Sequence, residues 1–341
     1  MKCPICAAEA DIKFIERFNE PIERISYDIR LCSSCGIEFA DPMRNPGPEW
    51  YKKSEFYRES DNPFTDKLNS RVAPFFRYNF PKNLKLLDVG CGFGNFLFHA
   101  DKHGFICAGI DFSDKQLDIA RSRFNLSDLH AATLEYFHEK HIDRKFDVIT
   151  LFGFLEHQAN PAGIIDICKD MLNKEGYIAL NVPNRKRPIF FGRREDWDFP
   201  PHHLTRWDDR SLTDFMLREG FEVIMLKKTP MTATPIYNQL LGIPLNKAIK
   251  NTVFLLRRII LGHTPDYSAR YSMDELAART GNSDSKEKSI PAGKPLRKFI
   301  VQVIRTAAWL VALPVSAPLS VYFSMFRKGK GGEIFLLARK N

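Results

Sequence analysis

The chain has 341 residues, 44% of them hydrophobic, enough for one large core with appendages, and this excludes a chain disordered throughout. Its formal net charge of +9 points to an anionic partner: a nucleic acid, a membrane surface, or a substrate carrying phosphate or pyrophosphate, and charge alone does not choose among them. The seven cysteines form no regular framework and the opening Met-Lys-Cys-Pro-Ile-Cys has no apolar stretch, so a secreted disulfide scaffold is set aside for a reducing, cytoplasmic setting.

Cys3-Pro-Ile-Cys6 and Cys32-Ser-Ser-Cys35 are two CxxC pairs separated by 25 residues. Each pair forms a tight turn that aims two thiolates at one ion, and the segment between folds back to complete a tetrahedron. The expectation is a zinc ribbon over residues 1–44 with Cys3, Cys6, Cys32 and Cys35 as ligands of a structural Zn²⁺; redox dithiols are the alternative. Four sulfurs leave no open coordination position, so the ion replaces a core that so few residues hardly supply. Ile12–Phe18 and Ile25–Leu31 read as the ribbon's strands. Residues 45–83, opening on Asn45-Pro-Gly-Pro48, form a linker that is helical in parts, and serve as a lid across the next domain or as packing on its outer helices.

Leu84–Val89 is a strand-like run leading into Gly90-Cys-Gly-Phe-Gly94 and then a helical pattern from Asn95 to His103. Glycines at such a strand-to-helix turn let the backbone approach a ligand and aim the helix at it. A second strand, Phe105–Ile110, ends at Asp111, 17 residues after Gly94, where a carboxylate accepts both ribose hydroxyls of an adenosine. A helix N-cap is the other reading of Asp111, although Ser113 fills that place as well. A glycine turn of this kind is shared with NAD enzymes.

Leu86-Leu-Asp-Val-Gly-Cys-Gly-Phe-Gly-Asn-Phe-Leu97, with Gly109-Ile-Asp-Phe112, resembles the class I S-adenosylmethionine-dependent methyltransferases. Phe146–Leu151 looks like that family's fourth strand and Phe152-Gly-Phe-Leu-Glu-His157 like the loop beyond it. Pro161 opens a helix with an apolar stripe at Ile164, Ile165, Cys168 and Leu172. Gly176–Val182, the helix Leu212–Glu219, Phe221–Leu226 and Glu333–Arg339 supply the rest of the sheet. The resemblance implies a doubly wound, Rossmann-like seven-stranded α/β sheet over 84–228 and 332–341. It also implies that Asp88, Gly90, Cys91, Gly92 and Gly94 surround the methionine part of the cofactor. Asp111 would hold the ribose, with Phe112 and Phe152 nearby, and Thr133 and Leu134 would border the adenine.

Methyl transfer from a sulfonium requires an aligned acceptor and, for a hydroxyl, removal of its proton. Glu156-His157 in this setting looks like the quinone and small-molecule O-methyltransferase branch of the family, with His157 as base; a loop-capping histidine is the alternative. Pro200-Pro-His-His-Leu204 brings His202 and His203 to the same sheet edge, where they approach the acceptor or else pack under Trp207 and hold the proline turn. A catalytic divalent metal shared by Glu156, His157 and His202 has no fixed-spacing motif behind it.

The main departure from the plain family pattern is a helical, partly hydrophobic insertion at 229–331. From Thr306 to Phe326 it carries no charge, with Arg305, Arg327, Lys328 and Lys330 at its flanks. That length spans a bilayer, but a single crossing would strand the last strand on the wrong side. An in-plane segment on the cytoplasmic leaflet is the preferred reading and a buried lid the other. The expectation is an enzyme that methylates a small molecule or a lipid- or nucleotide-linked sugar, since zinc-ribbon methyltransferases resemble those of sugar and surface-polysaccharide modification. An RNA methyltransferase and a non-catalytic adaptor are the alternatives; the loop Phe152–His157 lacks the Asn/Asp-Pro-Pro-aromatic motif of base methylation, so a nucleic-acid partner is disfavoured.

Overall fold

The computed structural model describes residues 1–9, 11–20, 22–46, 50, 68–187, 198–229, 318 and 331–341. The chain divides into two units, Met1–Met231 with Tyr322–Asn341, and Thr232–Val321. Of the second unit only Pro318 is among the described residues, and the expected insertion, including its uncharged run, lies outside them apart from Thr229, Pro318 and Gly331. Among the described residues no helix is long and apolar enough to cross a membrane.

The first unit opens with β1 (Ile12–Asn19), β2 (Ser26–Cys32) and β3 (Glu38–Asp41). β1 and β2 form a hairpin with a register shift between Phe14 and Glu16, and β3 lies antiparallel on the far side of β2. Both cysteine turns are closed by backbone bonds: the Ala7 amide donates to the Cys3 carbonyl and the Gly36 amide to the Cys32 carbonyl, 2.9 and 2.8 Å. The residue after each second cysteine has positive φ, Ala7 at 58° and Gly36 at 75°. The hand of the turn requires it, and glycine takes that conformation without cost whereas alanine does not.

The large sheet has β4 (Lys85–Val89), β5 (Ile106–Asp111), β6 (Leu129–Ala131), β7 (Phe146–Phe152), β8 (Leu172–Pro183), β10 (Phe221–Thr229) and β11 (Glu333–Lys340). Their spatial order is β10-β11-β8-β7-β4-β5-β6. β4 to β8 pair in parallel, while β11 runs antiparallel between β8 and β10. The crossovers are α1 (Asn95–Lys102), α2 (Asp114–Phe124), α3 (Leu134–Lys140), α4 (Pro161–Met171) and α5 (Asp209–Arg218). The predicted strands and helices of the ribbon and the large sheet form within a few residues of their expected bounds, while most of the linker expected to be helical in parts, residues 47–49 and 51–67, lies outside the described residues. Leu172, expected to end the stripe of α4, instead begins β8.

Helices on both faces explain why the strands read as near-continuous apolar runs. In β11, Ile334, Leu336 and Ala338 face one layer, with Ile165 and Cys168 of α4 and Phe215 of α5. Phe335 and Leu337 face the other, with Leu97 and Ala100 of α1 and Leu117 of α2. The Cys32, Ile37 and Phe39 side chains join the first layer, so the ribbon and the sheet share a core.

One short strand decides how they join. β9 (Thr205–Arg206) leaves the large sheet's chain order and pairs antiparallel with β3, Phe39 opposite Thr205. Just before it, the Ala40 amide donates to the Leu204 carbonyl, and the Leu204 amide donates to the Glu156 carbonyl, both at 2.8 Å. A single residue, Leu204, therefore links the ribbon to the loop after β7.

Candidate active site

A cavity of about 370 Å³ opens at the carboxyl ends of the parallel strands. Its size is ordinary for a small-molecule site, and its place is where doubly wound sheets bind ligands. Val89 and Gly90 come from β4, Ile110 to Phe112 from β5, and Ala132 to Glu135 from the turn after β6. Gly153, Phe154, His157 and Gln158 come from the loop after β7, joined by His202 and by Asn45 from beyond the ribbon.

Gly90, Gly92 and Gly94 have φ of 76°, 52° and 73°, so this turn is one that L side chains strain to make. At Gly90 a Cβ would lie 3.1 Å from the Phe154 ring, which covers the turn. At Gly94 it would lie 2.9 Å from both Ala120 and Leu126, whose helix and loop pack directly on the backbone. Asp111 accepts the Gly92 amide on Oδ2 at 3.0 Å and the Ser113 amide on Oδ1 at 2.9 Å. It thus clamps the glycine turn to the tip of β5 while lining the cavity; Ser113 occupies the N-cap position of α2. Burial raises the Asp111 carboxyl, opposed by these amides.

Of the residues expected around the cofactor, Gly90, Asp111, Phe112, Thr133 and Leu134 line the cavity. Gly92 and Gly94 lie behind its wall. The Cys91 thiol is buried, with Sγ 2.8 Å from where a Cβ on Gly109 would sit. Asp88 is buried under the turn and accepts the Thr150 hydroxyl at 2.6 Å; burial pushes its carboxyl up to about 7. Phe152 points into the aromatic core, 4.7 Å from the Phe96 ring centroid and 6.2 Å from that of Phe335. Phe154, two residues on, takes the cavity position instead. Alternation along a strand does not separate these two rings, because the strand ends between them.

At the other end of the cavity three imidazoles converge. Ring centroids lie 4.6 Å apart for His157 and His202, 4.8 Å for His157 and His203, and 4.6 Å for His202 and His203. His157 donates from Nδ1 to the His202 carbonyl at 2.5 Å. His203 Nδ1 meets Asp198 Oδ1 at 3.0 Å, and Asp198 also takes the Arg187 and Arg206 guanidiniums at 2.8 and 3.2 Å. Burial, with the neighbouring His203, brings the His157 imidazole down to about 3 against the His202 and Gly153 carbonyls. Burial likewise brings His203 down to about 4, so both rings are neutral near pH 7. Glu156 is 3% exposed and burial pushes its carboxyl up to about 8. Its Oε1 is 3.9 Å from His157 Nε2, and its Oε2 has no hydrogen-bond partner among the described residues. His157 and His202 line the cavity; Glu156 and His203 stand behind them.

The four ribbon cysteines are free and their sulfurs lie within 4.8 Å of one another. Cys3 and Cys35 sulfurs are 3.7 Å apart, and those of Cys6 and Cys32 3.6 Å. A tetrahedral ion with Zn–S near 2.3 Å sets its sulfurs roughly 3.8 Å apart, close to these two separations, so the donor set fits zinc.

Residues 57–226 match the family described as a methyltransferase domain. The ubiquinone biosynthesis O-methyltransferase of Pasteurella multocida is 40% identical over 113 residues, 30% of this chain and 47% of that protein. Its counterpart in Shewanella pealeana is 33% identical over 104 residues, covering 30% and 44%. The chain thus spans somewhat under half the length of the curated relatives it matches. Among solved structures, a SAM dependent methyltransferase from Archaeoglobus fulgidus aligns over 86% of this chain and 97% of its own at 14% identity, with a TM-score of 0.45. Through residues 57–226, which carry the glycine turn and most of the cavity wall, the chain belongs to the class I S-adenosylmethionine-dependent methyltransferases.

Proposed function

We propose that this protein transfers the methyl group of S-adenosylmethionine to a small-molecule acceptor seated against His157 and His202. The observation that carries the reading is the division of one cavity: Asp111 and the glycine turn at one end, imidazoles at the other. When bound, the cofactor supplies an electrophilic methyl on a sulfonium. Asp111 is placed to take the ribose hydroxyls, Phe112, Thr133 and Leu134 to border the adenine, and Gly90 to admit the methionine part. The imidazole wall then fixes the acceptor in line and is where its proton leaves.

Hydroxyl acceptors fit a site of this chemistry, and the relatives named above are O-methyltransferases. A lipid- or nucleotide-linked sugar, as in surface polysaccharide or glycolipid synthesis, is the acceptor class to test first, because the +9 formal charge suits an anionic carrier. In this reading Cys3, Cys6, Cys32 and Cys35 hold a structural zinc. The enzyme works in the cytoplasm, with the uncharged run and basic flanks of the insertion resting on the membrane surface.

The decisive measurement pairs calorimetry of S-adenosylmethionine binding with mass spectrometry of glycolipids and polysaccharides from a deletion strain. Expected are micromolar-class cofactor binding and loss of one methyl increment from a single glycan class. Intact glycans together with a missing RNA methyl mark would overturn the acceptor assignment in favour of RNA, and absent cofactor binding would sink methyl transfer itself.

A further inference from the structure

His157 arrives from the loop after β7 and His202 and His203 from the turn before β9, yet each offers a ring nitrogen within 4.8 Å of the other two. Imidazoles crowded this closely, with ring centroids 4.6 to 4.8 Å apart, repel one another when protonated, and the neutral ring is the form that coordinates metals. Two of them are also set as ligands usually are. His157 and His203 have Nδ1 engaged by an oxygen, a carbonyl and a carboxylate, which fixes the orientation of each ring. Asp198 is itself held by Arg187 and Arg206, so the ring it orients is not free to turn.

Glu156 adds an independent observation. Its buried Oε2 has no hydrogen-bond partner among the described residues and its Oε1 lies 3.9 Å from a histidine nitrogen, so this buried polar group lacks the contact it needs. A cation among the three rings supplies an attraction for it.

We infer that His157, His202 and His203 form a site for a divalent late-transition metal ion of the zinc and cobalt class at the acceptor end of the cavity. Three nitrogens select this class over magnesium, which prefers oxygen donors. Metal–nitrogen bonds near 2.0–2.1 Å set tetrahedral ligands roughly 3.3 Å apart, so the rings close by side-chain rotation of about an ångström. Three protein ligands leave a fourth position, and since His157 and His202 line the cavity, that position faces it. There the ion takes an oxygen of the acceptor and lowers the pKa of its hydroxyl, and the proton passes to solvent water rather than to the ligated rings, whose lone pairs the ion holds. This last role rests on the methyl-transfer reading; binding of the ion does not.

The test uses the full chain, stripped with chelator and titrated with Co²⁺. The expected uptake is about two equivalents, one with a thiolate charge-transfer band from the cysteine site and one with only the weaker bands of nitrogen and oxygen donors. His202→Ala is expected to lose the second equivalent and keep the thiolate band. Asp198→Asn, which preserves side-chain volume, is expected to weaken the second equivalent by about 10- to 100-fold. Uptake of a single thiolate-bound equivalent by the wild-type chain, or two equivalents unchanged in both variants, would overturn the site. Calorimetry with S-adenosylmethionine on the same samples separates the two readings: cofactor binding with one metal removes only the ion, and two metals without cofactor binding removes only methyl transfer.

Discussion

At the scale of single residues, Asp88, Asp111, His157 and Asp198 are polar groups of the site each committed to a neighbour. Asp111 holds two amides and still faces the cavity, so Asp111→Asn keeps the side-chain volume and removes the charge. Hydrogen bonds to charged groups contribute about 1.5–3 kcal/mol, so S-adenosylmethionine affinity should fall by about 10- to 150-fold in calorimetry. Gly94→Ala faces positive φ and two carbon atoms at 2.9 Å, and should cost about 1–3 kcal/mol in urea unfolding. Asp88 has a pH signature. Its carboxyl is raised from 3.8 to about 7 by burial, so the folded chain holds a proton that the unfolded chain releases. Stability from this group is present below about pH 4 and is lost as pH rises through about 7. Asp88→Asn should remove that slope, on the order of 2–4 kcal/mol between those limits, leaving a flatter profile in unfolding measured from pH 4 to 8.

At the scale of elements, the ribbon is more than a neighbour of the sheet. β3 pairs with β9, and Leu204 carries the connection by backbone bonds from Ala40 to Glu156. Side chains reinforce it: Glu38 takes Arg185 on Oε1 at 3.0 Å and Arg206 on Oε2 at 2.7 Å, and Arg206 passes on to Asp198 and so to His203. Glu38→Gln leaves two largely buried guanidiniums undercompensated and should cost about 1–3 kcal/mol in thermal unfolding. Cys32→Ser should speed hydrogen exchange at the Ala40 and Leu204 amides before the large sheet opens. Unchanged protection at Leu204 would show that β9 is held without the ribbon. The CxxC pairs were legible because two-residue spacing is local. The β3–β9 pairing was not, since a two-residue strand carries no periodicity and its partner lies 166 residues away, from Phe39 to Thr205.

At the scale of the whole molecule, the last strand is the keystone. β11 lies between β8 and β10 and buries Ile334 to Ala338 completely, although residues 230–332 of the chain separate it from β10. Truncation after Gly332 should therefore abolish the cooperative melt as well as cofactor binding. Both neighbours lose a ladder, and both helical layers lose the side chains they cover. A cooperative transition in the truncated chain would show instead that β10 pairs with β8 directly. Loop closure over so long an interval costs entropy that only slowly grows with length, which is why the insertion is compatible with a finished sheet.

The sequence by itself determined the class of the fold, the order of its strands and helices, the glycine turn and the cysteine pairs. Each of these is written in local patterns: period two, period 3.6, positive-φ glycines, and ligands two residues apart. The tertiary structure alone decided that Phe154 and not Phe152 reaches the cavity, and that Cys91 and Asp88 support its wall from behind. The sequence placed His202 and His203 at the sheet edge of His157, and the tertiary structure decided that their rings meet there and that the His202 carbonyl accepts from His157 Nδ1. Those outcomes depend on where loops meet in space, and burial and charge pairing set that, leaving no trace in the spacing of residues along the chain.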